Sequence, residues 1–226
     1  MIRRDLDEQL LLEWLKKTRG EPHRGELADV GKPVRHEAID RVRVELARLG
    51  IRTPLRFVWS GDGSGVEEDD PHVIHIHRPL ARAARAPAAA LEAAERALAL
   101  DIASVARHEI GHALLFLRPR LSRTAEFQRL FGDVGVTYRV GNPVDEVVRR
   151  LQRHRGLANP RYRRVVSLYA ATHPHERFAE AVRIAIRAGG HQDLLRSWVE
   201  RSFPEGADPV VVDQLLFVSR WLREYG

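Results

Sequence analysis

The 226-residue sequence contains no cysteine. Disulfide bonds and zinc sites built on thiolates are therefore excluded, and the composition is compatible with a reducing compartment. A chain of this length can bury a substantial core without cross-links, and it is short enough to form one domain. We therefore predict a single domain over residues 1–226.

Long hydrophobic runs are also missing, because no apolar stretch approaches the roughly 20 residues that a membrane-spanning helix needs. The N-terminal residues Met1 to Lys16 mix acids and bases among their apolar side chains, unlike the uncharged centre of a signal peptide. We expect a cytoplasmic protein that has no membrane partner. We also expect a monomer.

Lysine is scarce, so arginine supplies nearly all of the positive charge in a balance of 37 basic against 31 acidic residues. A compositionally biased genome can produce this excess, and the arginines are spread among acids, as on a solvated surface. The densest basic cluster, residues 149–164, could contact phosphates or an acidic peptide. No recognised nucleic-acid motif accompanies it, so we do not expect nucleic acid to be the main partner.

One short motif points to a metal site. Residues 108–112 read His-Glu-Ile-Gly-His, and on a helix His108 and His112 lie about 40° apart around the axis and roughly 6 Å apart along it. Both can therefore reach one ion, and Glu109 falls beside them. A zinc ion with three protein ligands keeps a position for water, whose proton a flanking carboxylate can take. The motif indicates a zinc-dependent hydrolase.

The sequence around the motif predicts a buried helix. Residues 87–106 are rich in strong helix formers and begin with a proline suited to a first helical turn. Buried histidines and a buried glutamate need partners, which a metal supplies. The apolar stripe of this helix consists of Ile102, Val105, Ala106, Ile110, Ala113, Leu114 and Leu117.

A third metal ligand must come from elsewhere in the chain. Leu115 and Arg118 exclude the pattern that adds a glycine and a third histidine after the motif. Downstream, Pro174 can begin a helix that places Glu176 and Glu180 on one face. One carboxylate can bind the metal, and the other can accept a hydrogen bond from a ligand histidine. Alternatively, the first is an acid favoured at a helix N-terminus and the second is a solvated side chain.

Together these segments resemble the gluzincin metallopeptidases, and most closely the bacterial putative zinc-binding metallopeptidases. The pattern of that family joins His-Glu-x-Gly-His, a Phe-Gly-Asp element and Ser-x-Tyr-Ala-x-x-x-Pro-x-Glu-Asp-Phe-Ala-Glu, found here at 108–112, 131–133 and 167–180. The resemblance spans about residues 72–190. It implies an α+β, zincin-like domain that is mostly helical, with a small sheet beside the His-Glu-x-x-His helix.

The resemblance also implies a role for each site residue. Glu109 would be the catalytic base, and Glu180 would support a ligand histidine. One Zn²⁺ ion per chain would be bound by His108, His112 and Glu176.

The sequence leaves open the roles of two further residues, Tyr169 and Arg177. In the more distantly similar catalytic domain of anthrax lethal factor, a tyrosine seven residues before the ligand glutamate helps to stabilise the transition state, and Tyr169 holds that position here. Its alternative role is that of a core aromatic, because Pro174 interrupts the helix between it and Glu176. Arg177 replaces the usual aspartate of the family, and it could alter hydrogen bonding around the ligand helix or point to solvent.

The remaining pattern predicts helices in residues 1–50 and 191–226, a small sheet in 51–80 and a metal-binding core in 87–190. The strand candidates are 55–59 and 72–77, joined by a segment rich in glycine and acids that we interpret as a flexible connection. Helices can begin after or at several prolines: Pro33, Pro87, Pro143, Pro160, Pro174 and Pro209.

The second strand candidate alternates Ile74 and Ile76 with His75 and His77. We expect it to be an edge strand beside the motif helix, where an extended peptide could pair with it. A second metal site at His75 and His77 is an alternative to ordinary solvent-facing histidines.

The sequence therefore predicts a zinc metallopeptidase with a peptide or protein substrate. Two alternatives remain open: a cytoplasmic regulatory protein that uses the zincin fold on one specific partner, and a non-catalytic zinc-binding module. Glu109 argues against the second, since a structural zinc site needs no general base.

Overall fold

A computed structural model of the chain describes residues 30–61, 63–77, 102–136, 163–167 and 169–225. Within these residues, helices dominate and accompany a three-stranded sheet, which confirms the predicted α+β, mostly helical class. The helices are α1 (Glu37–Arg48), α2 (Ile102–Leu117), α3 (Ala125–Phe131), α4 (Pro174–Arg187), α5 (Gln192–Ser202) and α6 (Pro209–Tyr225). The strands are β1 (Arg56–Ser60), β2 (Gly65–Val66) and β3 (Val73–His77).

The sheet has the strand order β1-β3-β2. β1 runs parallel to β3, and β2 runs antiparallel to it on the other side. The prediction that residues 72–77 form an edge strand is therefore wrong. So is the interpretation of the preceding segment as a flexible connection only, because that segment supplies β2. Two paired residues, Gly65 and Val66, are too few to produce the alternation by which a strand is recognised in a sequence.

The predicted alternation of β3 is confirmed. Ile74 and Ile76 are fully buried, whereas His75 and His77 are partly exposed. The buried face packs on α2, which therefore lies directly against the sheet. Residues 31–34 continue the hydrogen bonding along the far side of β1.

α2 and α4 form the centre of the fold. Nearly every side chain of α2 from Ile102 to Leu115 is buried, and its main neighbour is α4. The two backbones meet at Gly111, where an added Cβ would stand 2.6 Å from the Cα of Ala179. Only a residue without a side chain permits this approach.

Local signals explain most helix boundaries. α1 begins after His36, whose Nδ1 accepts a hydrogen bond from the Ala38 amide, and Gly50 follows its end with a φ of 76°. α4 and α6 begin at Pro174 and Pro209, as predicted. Pro33 does not begin a helix. It pairs with Val58 of β1, and α1 begins four residues after Pro33.

Two buried contacts support the central pair of helices. Arg107 in α2 donates two hydrogen bonds, of 2.7 and 2.8 Å, to the carboxylate of Glu45 in α1. On the other side, an aromatic cluster joins α3, α4 and α6, with adjacent ring centroids 4.8–5.7 Å apart. The rings of this cluster belong to Phe127, Phe131, Phe178 and Phe217.

Some predictions lie outside the described residues. These are the helix before residue 102, the helices at Pro87, Pro143 and Pro160, and most of the basic cluster. Two arginines of that cluster are described: Arg163 pairs with Glu205, and Arg164 pairs with Asp208. The single domain over 1–226, with its parts 1–50, 51–80, 87–190 and 191–226, stays a prediction. None of the described helices combines the length and apolarity needed to cross a bilayer.

The close crossing of α2 and α4 makes Gly111 sensitive to substitution. We expect Gly111→Ala to lower the free energy of unfolding by about 1–3 kcal/mol, because the new methyl group must push the helices apart. Urea denaturation measures this effect. Gly65→Ala is the control, since its Cβ would meet no atom within 4 Å. Intrinsic helix propensity alone favours alanine by about 1 kcal/mol, so a Gly111→Ala protein more stable than the parent would contradict the packing argument.

Candidate metal centre

Two helices bring three acceptor atoms together. The Nε2 atoms of His108 and His112, one turn apart on α2, lie 3.1 Å from each other. Oε2 of Glu176, in the first turn of α4, lies 2.9 Å from the first nitrogen and 3.3 Å from the second. The three residues therefore share one small space at the α2–α4 crossing.

The start of α4 decides where Glu176 stands. His173 caps this helix, because its Nδ1 accepts a hydrogen bond of 3.2 Å from the His175 amide. Its Nε2 donates to the carbonyl of Val136 at 2.9 Å, which fixes the ring on both sides. Pro174 then begins the first turn of α4, which also contains Glu176 two residues later.

The position of the hydrogen on the His108 ring indicates which kind of ion this space can hold. Nδ1 of His108 lies 2.8 Å from Oε1 of Glu180, and a carboxylate can only accept a hydrogen bond. Nδ1 therefore carries the hydrogen, and in the neutral ring Nε2 presents a lone pair toward the oxygen of Glu176. Facing lone pairs need a proton or a metal ion between them, and the donors of a tetrahedral zinc site stand roughly 3.3 Å apart. The donor set fits such an ion.

The buried charges fit a divalent ion as well. Glu109, Glu176 and Glu180 are at most 7 % exposed, and three buried carboxylates without compensation are strongly unfavourable. Arg183, itself 3 % exposed, pairs with Glu180 and balances one charge. A divalent cation at the histidine pair balances the other two.

The pKa values follow from these contacts. Burial lowers the pKa of His108, but hydrogen bonds with Glu176 and Glu180 outweigh it and raise the pKa to about 10. Burial raises the pKa of Glu176, but the charge of His112 and hydrogen bonds with His108 and His112 outweigh it and hold this pKa well below its usual value. A proton therefore competes with a metal for the same atoms, and metal binding strengthens as pH rises.

Glu109 lies beside the cluster. Its carboxylate and the two imidazoles offer ligand atoms that all lie within 4.8 Å of one another. Burial raises the pKa of Glu109, an effect that the charges of His108 and His112 oppose. A buried carboxylate with a raised pKa accepts a proton more readily than a free one, which suits a group that takes up and releases a proton in catalysis.

Residues 91–193 match the family model of the putative zinc-binding metallo-peptidases. The matched segment contains α2, α3 and α4, and therefore both helices that carry the three acceptor atoms. The predicted resemblance to this metallo-peptidase family is confirmed over that segment. Comparisons with curated proteins and with solved structures give no match. The similarity to gluzincins in general and to the lethal factor domain stays a prediction.

The tyrosine of the metallo-peptidase pattern reaches the site through a short turn. Tyr169 begins the 3₁₀ turn Tyr169–Ala171, and its ring centroid lies 5.4 Å from that of His108. The turn is held at one end by Ser167, whose hydroxyl accepts from the Ala170 amide at 3.1 Å. The ring is partly exposed, so Tyr169 is a neighbour of the candidate ligands and not only a core aromatic.

Arg177, where the metallo-peptidase pattern has aspartate, does not point to solvent. Its Nε donates to the carbonyl of Ala170 at 3.4 Å, and its Nη1 donates to the carbonyl of Phe131 at 3.3 Å. The side chain therefore ties α4 to the turn that begins at Tyr169 and to the end of α3. An aspartate could not make these contacts, because it has no hydrogen to donate.

Sequence reasoning missed three neighbours of the site. Arg183 was not singled out, although it lies seven residues after Glu176 and three after Glu180, a spacing that places all three on one helix face. His175 and Phe116 were also missed. Their ring centroids lie 6.3 and 6.4 Å from that of His112. Burial and the charge of His112 lower the pKa of His175 to about 4, so this ring is neutral at physiological pH.

The second metal site suggested for β3 gains no support. In the described part of the chain, the only group of side chains that could hold an ion surrounds His108 and His112 at the α2–α4 crossing. His75 and His77 belong to no such group there. The metal site at His75 and His77 therefore stays a prediction that no described residue supports, beside the interpretation of both as ordinary strand residues.

The contacts of Arg177 predict a measurable contribution to stability. Arg177→Ala removes two long hydrogen bonds, so we expect the free energy of unfolding to fall by about 1 kcal/mol. Chemical denaturation measures it, with Arg129→Ala on the exposed face of α3 as the control. Equal stability of the two variants would show that the carbonyl contacts contribute nothing.

Proposed function

We propose that the protein is a zinc metallopeptidase of the gluzincin type, with a zincin-like catalytic domain. His108, His112 and Glu176 would bind one zinc ion. The observation that carries this proposal is the convergence of two imidazole nitrogens and one carboxylate oxygen within 3.3 Å of one another. Glu109 stands beside these atoms and remains available for proton transfer.

Zinc, when bound, supplies a Lewis acid that lowers the pKa of water and polarises the scissile carbonyl. Glu109 would take the proton of the attacking water and deliver it to the leaving amine nitrogen. Its buried position and raised pKa support that double role. Glu180 holds the tautomer and the orientation of His108. The hydroxyl of Tyr169 would donate to the carbonyl oxygen as negative charge develops there.

The burial of Glu109 favours an enzyme over a non-catalytic zinc-binding module. A buried carboxylate that is not a ligand is unfavourable for folding and adds nothing to a purely structural site. The substrate would be a peptide or protein. Among the described residues, β2 is the outer strand that contacts α2, so an extended peptide paired with β2 would run beside the metal centre.

The choice of third ligand is tested by zinc content. Protein purified without chelator should contain about one zinc per chain, and Glu176→Ala should lose it more readily than Glu180→Ala, since a direct ligand contributes more to affinity. Elemental analysis gives the stoichiometry. Full zinc occupancy in Glu176→Ala, with loss on removal of another acid, would show that the third ligand is a different residue.

The role of Glu109 is tested by separating chemistry from metal binding. Glu109→Gln should keep the zinc content and thermal stability of the parent, yet lower the rate of peptide cleavage by roughly 10²–10⁴-fold. His112→Ala should lose both zinc and activity, and Tyr169→Phe should keep zinc and lower kcat with little change in KM. The substrate comes from a mixed peptide library. Parent-like cleavage by zinc-loaded Glu109→Gln would disprove the mechanism.

A further inference from the structure

Arg183 belongs to a buried series of contacts that leads to the candidate metal centre. Its Nε donates to Oε1 of Glu180 at 2.9 Å, and its Nη2 donates to Oε2 at 3.0 Å. The same Oε1 lies 2.8 Å from Nδ1 of His108. The side chains of these three residues are between 0 and 6 % exposed, so the series of contacts is closed to water.

We infer that Arg183 is a positioning residue of the metal centre, which acts through Glu180 to hold His108 in the orientation that binds zinc. The inference rests on the proposed function, because it assumes that His108 is a zinc ligand. Glu180 reaches its position through three rotatable bonds. The planar guanidinium grips both carboxylate oxygens and thereby fixes the plane of the carboxylate that His108 meets.

Stability alone does not account for this ion pair. A buried salt bridge is weak support for a fold, because removing two charges from water offsets most of their attraction, and well-packed apolar side chains often replace such a pair without loss. The pair joins residues three apart on one helix, so it connects no separate elements by itself. Glu180 carries the effect of the pair to α2 through its bond to Nδ1 of His108, and that bond is where we expect the effect of Arg183.

The test compares zinc affinities, measured at one pH by competition with a chromophoric chelator. Groups that orient a metal-binding histidine typically change affinity by about 10–100-fold, and we expect Arg183→Met to weaken zinc binding in that range. Arg183→Lys keeps the charge but loses the planar grip, so it should lie between the parent and Arg183→Met. Arg187→Met is the matched control, one turn further along α4 and exposed.

A double-variant comparison distinguishes positioning from general destabilisation. If Arg183 acts through Glu180, Arg183→Met should change zinc affinity less than about twofold in a Glu180→Gln background, since the pathway is already broken. The double variant buries no charge at these two positions, so it also serves if Arg183→Met alone does not fold. Circular dichroism and thermal unfolding of the metal-free proteins report the fold independently.

Three outcomes would overturn the inference. The first is a zinc affinity of Arg183→Met or Arg183→Lys equal to that of the parent. The second is an equally large loss of zinc affinity when Arg183→Met is introduced into the Glu180→Gln background. A parent protein that binds no zinc would overturn the inference and the proposed function together. A parent that binds zinc but cleaves no peptide would overturn only the proposed activity, since the affinity comparison needs no substrate.

Discussion

The close crossing of α2 and α4 positions the whole candidate metal centre. The histidines lie on one helix and Glu176 on the other, so their distances depend on how nearly the two backbones approach. That approach is set by the contact between Gly111 and Ala179. Gly111 directly precedes His112 in α2, and Ala179 lies three residues after Glu176 in α4. A wider crossing would separate the carboxylate from the imidazoles by the same amount. The core that packs α1, the sheet and α6 around these helices therefore also serves the site.

Burial gives the site its electrostatic character. Carboxylates and imidazoles withdrawn from water interact strongly, and this explains both the raised pKa of His108 and the lowered pKa of Glu176. The same burial would be unfavourable without compensation. Arg183 supplies part of that compensation from within α4, and a divalent ion would supply the rest.

Irregular segments complete the site where the helices cannot reach. The short turn at Tyr169 brings an aromatic ring beside His108, and Arg177 links that turn to the end of α3. Because Arg177 donates to carbonyl groups, the departure from the family pattern has become part of the support around Tyr169. With arginine at this position, α4 holds the carbonyls of Ala170 and Phe131, and the three acceptor atoms converge in its presence.

The sequence by itself determined the features that depend on local spacing. One helical turn separates His108 from His112, Pro174 begins the helix of Glu176 and Glu180, and alternation assigns the two faces of β3. Only the tertiary structure decided which strands are neighbours, because pairing depends on chain paths and two residues of β2 carry too little pattern. It also decided that Glu176 faces both imidazoles while Glu180 faces Nδ1 of His108, since equal helical spacing allows either carboxylate to be the nearer one.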